Sequence, residues 1–147
     1  MKKGGKIRVL AFGTFDLLHP GHISFLKQAK KLGDFLTVVI ARDSTIKRYK
    51  KITPIHSESK RIKNIKDLKI ADQVILGQHD LKKKYDIILK LKPDIIALGY
   101  DQKFFIKDLP KAIKKLKKSC RNIRLKPYKP EKYKSSIYRN KKRWPHE

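Results

Sequence analysis

The residues with the most evident chemistry lie close together near the start of the chain, in the sequence GTFDLLHPGH at residues 13–22. An apolar run precedes this segment and an amphipathic run follows it, which predicts a strand, a glycine turn and then a helix. This arrangement directs the free backbone N–H groups of a helix N-terminus, and the positive end of its dipole, toward an anion. The segment therefore predicts a site for a phosphate group.

Four residues within this segment suit a phosphate site. Pro20 fits the first helical position, where a missing N–H costs nothing, and Gly21 leaves room for a phosphate against the backbone. His19 and His22 lie about one helical turn apart, so we expect both imidazoles to face the same point as neutral donors. A zinc site is the alternative use of two histidines, but no third ligand of the usual pattern lies nearby in the sequence. We therefore predict phosphate binding.

The pattern G-T-F-D-x-x-H-x-G-H resembles the signature of the HxGH nucleotidyltransferases, which include the glycerol-3-phosphate cytidylyltransferases and the archaeal-type FAD synthetases. The sequence KPDIIALGYDQ at residues 92–102 is similar to the corresponding stretch of the FAD synthetases, and Gln102 stands where the cytidylyltransferase branch tends to have an aromatic residue. The resemblance covers about residues 7–137. It implies an FMN adenylyltransferase, which converts ATP and FMN into FAD and pyrophosphate.

Two alternatives remain open at this stage. One is a cytidylyltransferase acting on glycerol 3-phosphate or a similar polyol phosphate. The other is not an enzyme but an RNA-binding protein that retains the fold while its site is a relic. Intact histidines and an intact Asp101 favour an enzyme.

The resemblance also implies roles for individual residues. His19 and His22 would be catalytic, donating hydrogen bonds to the α- and β-phosphate oxygens, and Asp101 would contact the ribose or the base. The other implied nucleotide-binding residues are Thr14, Phe15, Pro20, Gly21 and Tyr128. The residues expected to contact phosphates are Arg61, Lys47, Lys50, Ser135 and Ser136. Mg²⁺ or a similar divalent cation would accompany ATP, held mainly by the substrate and water, because it rarely needs a full protein cage.

Apolar runs alternate with helical patterns along the whole chain. We predict strands at residues 7–12, 35–41, 73–76, 95–98 and 122–125, and helices at residues 20–32, 57–68, 82–91, 105–118 and 135–142. This alternation predicts an α/β fold, a Rossmann-like doubly wound five-stranded parallel sheet with helices on both faces. Ligands bind such sheets beyond the carboxyl ends of the strands, where the strand order reverses. The lysine-rich stretch at residues 47–54 predicts a mobile loop.

Size and composition limit the possible classes. The 147 residues predict a single domain over residues 1–147. A formal net charge of +26 would normally suggest a nucleic-acid partner, but the lysines are spread over the chain and the aromatic side chains are not interleaved in the manner of a stacking platform, so nucleic acid is not expected as the main partner. A single cysteine and the lack of any long apolar stretch predict a cytoplasmic protein without a membrane span. The resemblance implies a homodimer.

Overall fold

The computed structural model describes residues 6–78, 83, 85–100, 102, 109–116 and 119–132. Its centre is a sheet of five parallel strands in the order β3-β2-β1-β4-β5. The strands are β1 (Arg8–Gly13), β2 (Phe35–Ile40), β3 (Gln73–Leu76), β4 (Ile95–Leu98) and β5 (Arg121–Arg124). The predicted Rossmann-like α/β fold is confirmed, and the strand bounds differ from the prediction by one residue at most: β1 is shifted toward the C-terminus, β5 is shifted toward the N-terminus, and β2 ends one residue earlier.

Helices connect the strands. They are α1 (Pro20–Lys31), α2 (Asp43–Thr45), which continues into a π-helical turn (Ile46–Lys50), α3 (Glu58–Asp67), α4 (Asp86–Leu91) and α5 (Leu109–Lys114). The helices predicted at residues 82–91 and 105–118 fall partly outside the described residues, and the one predicted at residues 135–142 lies wholly outside them. Within the described ranges, no helix has the length and apolar character that crossing a membrane requires.

The segment after β2 differs from the sequence prediction. A loop was expected over residues 47–54, but residues 47–50 belong to the π-helical turn, so the prediction is wrong for that half. Two buried side chains at the start of the turn, Thr45 and Ile46, anchor it to the protein. The lysine-rich composition did not predict these buried contacts, because the lysines are the solvent-facing residues of the turn. The turn ends at Lys51, whose φ of 56° is left-handed.

Both faces of the sheet are covered. Side chains alternate along each strand, so Val9 and Ala11 of β1 belong to one cluster while Leu10 and Phe12 belong to the other. The first cluster includes Leu26 and Ala29 of α1 and Ile65 of α3; the second includes Ile87 and Ile88 of α4 and Leu109 and Ala112 of α5. Burial on both faces explains why β1, β2 and β4 appear as nearly continuous apolar runs in the sequence.

The strand order reverses between β1 and β4. From β1 the chain moves outward to β2 and β3, then returns to pair β4 with the opposite side of β1. Connections on the two sides therefore diverge at the carboxyl ends of these two central strands, which leaves a crevice there. Gly13 ends β1 and Gly99 follows β4 at this edge.

Candidate active site

The start of α1 is formed by two histidines that bond to the backbone. α1 begins at Pro20, as predicted, and His19 is its N-cap residue. The Gly21 N–H donates to Nδ1 of His19 at 3.1 Å, and the His19 N–H donates to Nδ1 of His22 at 3.3 Å. This reciprocal pattern is the one that serine and glutamate more often form at a helix start. It fixes both imidazoles, whose rings stack with their centroids 3.8 Å apart.

These bonds determine which nitrogen of each ring carries the proton. A ring nitrogen that accepts a backbone N–H has no hydrogen of its own, so neutral His19 and His22 are both protonated on Nε2. Each ring therefore has its Nε2–H donor near the helix N-terminus. The predicted pair of neutral donors thus has a structural basis, and the stacking holds the two rings in parallel.

Burial lowers the pKa of His22 well below its ordinary value of 6.5, and the neighbouring His19 lowers it further by charge repulsion. The ring of Phe15 lies edge-on to the His22 ring, with the centroids 5.4 Å apart, and contributes to this apolar surrounding. His22 is consequently neutral at physiological pH. A neutral donor can bind a phosphate oxygen without gaining or losing a proton.

The lowered pKa of His22 makes stability depend on pH. Below pH 6.5 the unfolded chain binds a proton at His22 that the folded chain does not bind, so acid favours unfolding. As the pH falls from about 7.5 to about 5.5, we expect the unfolding free energy of the unaltered protein to decrease relative to that of His22→Asn, by at most about 1.4 kcal/mol per pH unit. Urea unfolding at a series of pH values measures this difference. A difference independent of pH would show that His22 titrates normally.

The turn between β1 and α1 has an unusual backbone. Phe15 and Leu17 both have a φ of 53°, although neither is glycine and both are buried. Such left-handed residues cost roughly 1 kcal/mol or more each, so the surroundings must hold them in place. Gly13 leaves room for the Phe15 ring beneath this turn, because a Cβ there would overlap that ring unless the ring moved.

Asp16 accepts two of the hydrogen bonds that hold the turn. Its buried carboxylate accepts from the N–H groups of Ile55 and His56, at 2.8 and 2.9 Å. The turn after β1 is thereby attached to the segment that precedes α3. Sequence analysis did not assign Asp16 to the site. The available signal was its position in the motif, an acidic residue between apolar neighbours inside a glycine turn.

Arg61 supplies the other bonds. Its side chain is fully buried, and the guanidinium donates to the carbonyl oxygen of Thr14 at 2.8 Å, to that of His56 at 3.1 Å and to Oδ1 of Asp43 at 2.7 Å. The structure thus connects Arg61 to the backbone of the predicted nucleotide-binding turn. Its predicted contact with a phosphate stays a prediction.

Two predicted phosphate-binding lysines lie on the π-helical turn. Nζ of Lys50 donates to the hydroxyl of Thr14 at 2.8 Å, which brings this cation to the turn after β1. Lys47 is exposed on the same π-helical turn. The structure therefore brings together Thr14 and Lys50, which are 36 residues apart in the sequence.

Of the four remaining predicted residues, only Tyr128 lies within the described ranges. Tyr128 follows β5 and is 41% exposed. The segment leading to it is held by Gln28 of α1, whose amide donates to the Lys126 carbonyl at 3.0 Å and accepts from the Lys126 N–H at 3.2 Å. Sequence analysis missed Gln28, because an isolated glutamine on an amphipathic helix carries no signal. Asp101, Ser135 and Ser136 lie outside the described residues.

The described part of the chain has no group of three or more His, Cys, Asp or Glu residues placed to hold a metal ion. The zinc alternative for His19 and His22 therefore gains no support from these residues. Their Nδ1 atoms accept from the backbone and their rings stack, which is an arrangement for hydrogen bonding. A divalent cation at this site would need ligands other than these side chains.

The sequence profile of the cytidylyltransferase-like family matches residues 10–141. The chain therefore belongs to the cytidylyltransferase-like family. An FAD synthase from Thermoplasma volcanium is 47% identical over 136 residues, which are 92% of this chain and 93% of that protein. An FAD synthase from Thermococcus sibiricus is 43% identical over 142 residues, 97% of this chain and 93% of that protein.

A solved structure agrees with this assignment of family and fold. The crystal structure of a protein described as a lipopolysaccharide core biosynthesis protein from Thermoplasma volcanium superposes with a TM-score of 0.74 at 48% identity. The superposition covers 84% of this chain and 99% of that chain. The sheet and its connections are thus those of an experimentally determined relative.

Proposed function

We propose that this chain is an FMN adenylyltransferase, which joins ATP and FMN to give FAD and pyrophosphate. The observation that carries the reaction class is the stacked pair of imidazoles at the start of α1, each with an Nε2–H donor at the crevice where the strand order reverses. The choice of substrates rests on the FAD synthases that are 43 to 47% identical over nearly the whole chain.

The chemistry requires positioning more than proton transfer. The 5′-phosphate of FMN attacks the α-phosphorus of ATP, the bond to the β-phosphate oxygen breaks, and pyrophosphate leaves with its electron pair. A phosphate monoester has a second pKa near 6 and is mostly dianionic at neutral pH, so no general base is needed. Catalysis then depends on holding the two phosphates in line and on stabilising charge on the oxygens.

His19 and His22 supply that stabilisation through their Nε2–H groups. Both donors are oriented before ATP binds, because each Nδ1 is bonded to the backbone and the rings are stacked. A donor that needs no reorientation stabilises developing charge more effectively than water does. The lowered pKa of His22 means that this ring is a neutral donor before the nucleotide binds.

The other predicted residues complete the substrate site. The backbone of Thr14, Phe15, Pro20 and Gly21 borders the nucleotide phosphates, with the helix N-terminus directed at them. Asp101 and Tyr128 contact the ribose or base. The groups proposed to contact the outer phosphates are Lys47, Lys50, Ser135 and Ser136, whereas the fully buried Arg61 holds the backbone of Thr14. The bond between Lys50 and Thr14 supports this assignment for Lys50, since it holds a cation at the turn.

Magnesium enters this proposal as part of the substrate. No set of side chains in the described ranges suits a metal ion, whereas a triphosphate and water can supply most of its ligands. The Mg²⁺ complex of ATP is therefore the form that binds. The chain's own contribution is the set of donors and cations around the phosphates.

Product formation tests the proposal. The purified protein is incubated with Mg²⁺ and either ATP with FMN or CTP with glycerol 3-phosphate, and FAD and pyrophosphate are measured. We expect equimolar FAD and pyrophosphate from the first pair and no comparable turnover of the second. Preferential use of CTP would instead assign the chain to the cytidylyltransferase branch. Turnover of neither pair, together with salt-dependent RNA binding, would show that the site is a relic.

Assembly and location are further parts of the proposal. A homodimer is proposed from the family resemblance, and sedimentation at several salt concentrations tests it. Salt should promote association, because two subunits that each carry a formal charge of +26 repel one another until they are screened. A cytoplasmic location also remains a prediction.

A further inference from the structure

Three of the four ladders of the sheet end in the same way. In each of these three pairs of neighbouring strands, the N–H of the residue that follows one strand donates to the carbonyl oxygen of the last residue of the other strand. These bonds join Ala41 to Gly13 at 2.9 Å, Gly77 to Ile40 at 2.9 Å and Leu125 to Leu98 at 2.7 Å. The fourth ladder pairs β1 with β4 and is in register at Ala11 and Ala97. Continuing its pattern would pair the Gly99 N–H with the Phe12 carbonyl.

At this fourth ladder the side-chain amide of Gln102 lies between those two groups. The Gly99 N–H donates to Oε1 of Gln102 at 3.2 Å, and Nε2 of Gln102 donates to the Phe12 carbonyl at 3.1 Å. One amide thus replaces one direct backbone bond. The ends of β1 and β4 are held apart by the width of a carboxamide, at the point where the strand order reverses.

The turn that follows β4 is also held by a residue of β5. The Gln102 N–H donates to the Gly99 carbonyl at 3.2 Å, which closes a turn over residues 99–102. Arg124, the last residue of β5, donates from Nη1 to the carbonyl oxygens of Gly99 and Gln102. This turn is therefore fixed between β1 and β5. In the sequence it contains Asp101, which is proposed to contact the nucleotide.

We propose that Gln102 is a positioning residue that keeps β1 and β4 apart and so sets the opening in which the ribose and base of the nucleotide bind. Both ends of its amide bond to the backbone, so it acts through the position of Gly99 and Phe12. A wider opening suits a two-ring purine better than a one-ring pyrimidine. This role of Gln102 rests on the proposed FMN adenylyltransferase function only for the identity of the substrates.

Two substitutions test this role. Gln102→Met keeps the length of the side chain but neither hydrogen bond, and Gln102→Glu keeps an acceptor for Gly99 while placing a second oxygen against the Phe12 carbonyl. We expect each to raise the KM and the Kd for ATP about tenfold or more, with kcat and the KM for FMN changed by less than about threefold. The ratio of ATP to CTP affinity should fall in both.

Gln73→Met is the matched control. The side-chain amide of Gln73 also forms a hydrogen bond, accepting from the Thr37 hydroxyl at 3.1 Å. Gln73 is the first residue of β3, an outer strand of the sheet away from β1 and β4. We expect its kinetics and ATP binding to equal those of the unaltered protein. Calorimetric titration with ATP alone measures binding without FMN. If the unaltered protein makes no FAD but Gln102→Met still weakens ATP binding, the proposed function fails and the role of Gln102 stands.

Other results would overturn the role of Gln102. One is unchanged ATP affinity and base preference in Gln102→Met with unchanged thermal stability. Another is an equal loss of ATP affinity, FMN affinity and kcat together with a lower melting temperature, which indicates general structural damage. Should Gln102→Met not fold, Arg124→Met takes its place, because it releases the same turn from the side of β5. Unchanged ATP affinity in a folded Arg124→Met would then count against the proposal.

Discussion

Replacing His19 or His22 by asparagine should reduce turnover by roughly a hundredfold or more while the protein remains folded. An asparagine oxygen can stand where Nδ1 stands, so it can still accept the backbone N–H that each imidazole now accepts. What it lacks is the Nε2–H that is proposed to bind the phosphate oxygens. Steady-state kinetics with ATP and FMN, together with thermal unfolding, separates the two roles of each histidine.

Alanine at His19 provides the comparison. His19→Ala removes the N-cap acceptor as well as the Nε2 donor, so we expect the same loss of turnover and an additional loss of about 1 kcal/mol of stability. ATP binding should weaken much less than turnover in all these variants, since the donors act mainly on developing charge. Turnover near that of the unaltered protein in both asparagine variants would remove the histidines from the mechanism.

Replacing Arg61 by methionine should lower the unfolding free energy by about 3 kcal/mol or more. The substitution removes a fully buried guanidinium and leaves the carbonyls of Thr14 and His56 without this donor and Asp43 without its ion pair. The left-handed residues Phe15 and Leu17 then lose part of what holds them, so turnover should fall as well. Urea unfolding and steady-state kinetics measure the two effects.

Lys63→Met is the matched control on the same helix. Lys63 forms an exposed pair with Asp67 one turn away, at 2.7 Å, and such pairs contribute about 0.5 kcal/mol or less. We expect near-normal stability and turnover from it. If Arg61→Met is as stable as the control but binds ATP poorly, Arg61 acts on the phosphates, which is the role predicted from the family resemblance, and its structural role is minor.

The fold class and the centre of the site were predictable from the sequence because both depend on local patterns. Alternating apolar runs and helical patterns predicted the parallel sheet, and the motif at residues 13–22 predicted the helix start at Pro20 with both histidines on it. These features extend over a few neighbouring residues. The alternation of side chains along a strand and the residue preferences at a helix start also depend on neighbouring residues, so both can be recognised in the sequence.

The sequence alone determined the class of this protein, a parallel α/β nucleotidyltransferase of the cytidylyltransferase-like family, and it predicted that the turn after β1 binds phosphate. The tertiary structure decided the contacts that hold this turn and its neighbours: Asp16 with residues 55 and 56, Arg61 with Thr14, and Gln102 between Gly99 and Phe12. It also decided the proton position on each histidine. These bonds join side chains to backbone groups up to 90 residues away. Any backbone group can accept or donate such a bond, so residue type and spacing do not specify the partner.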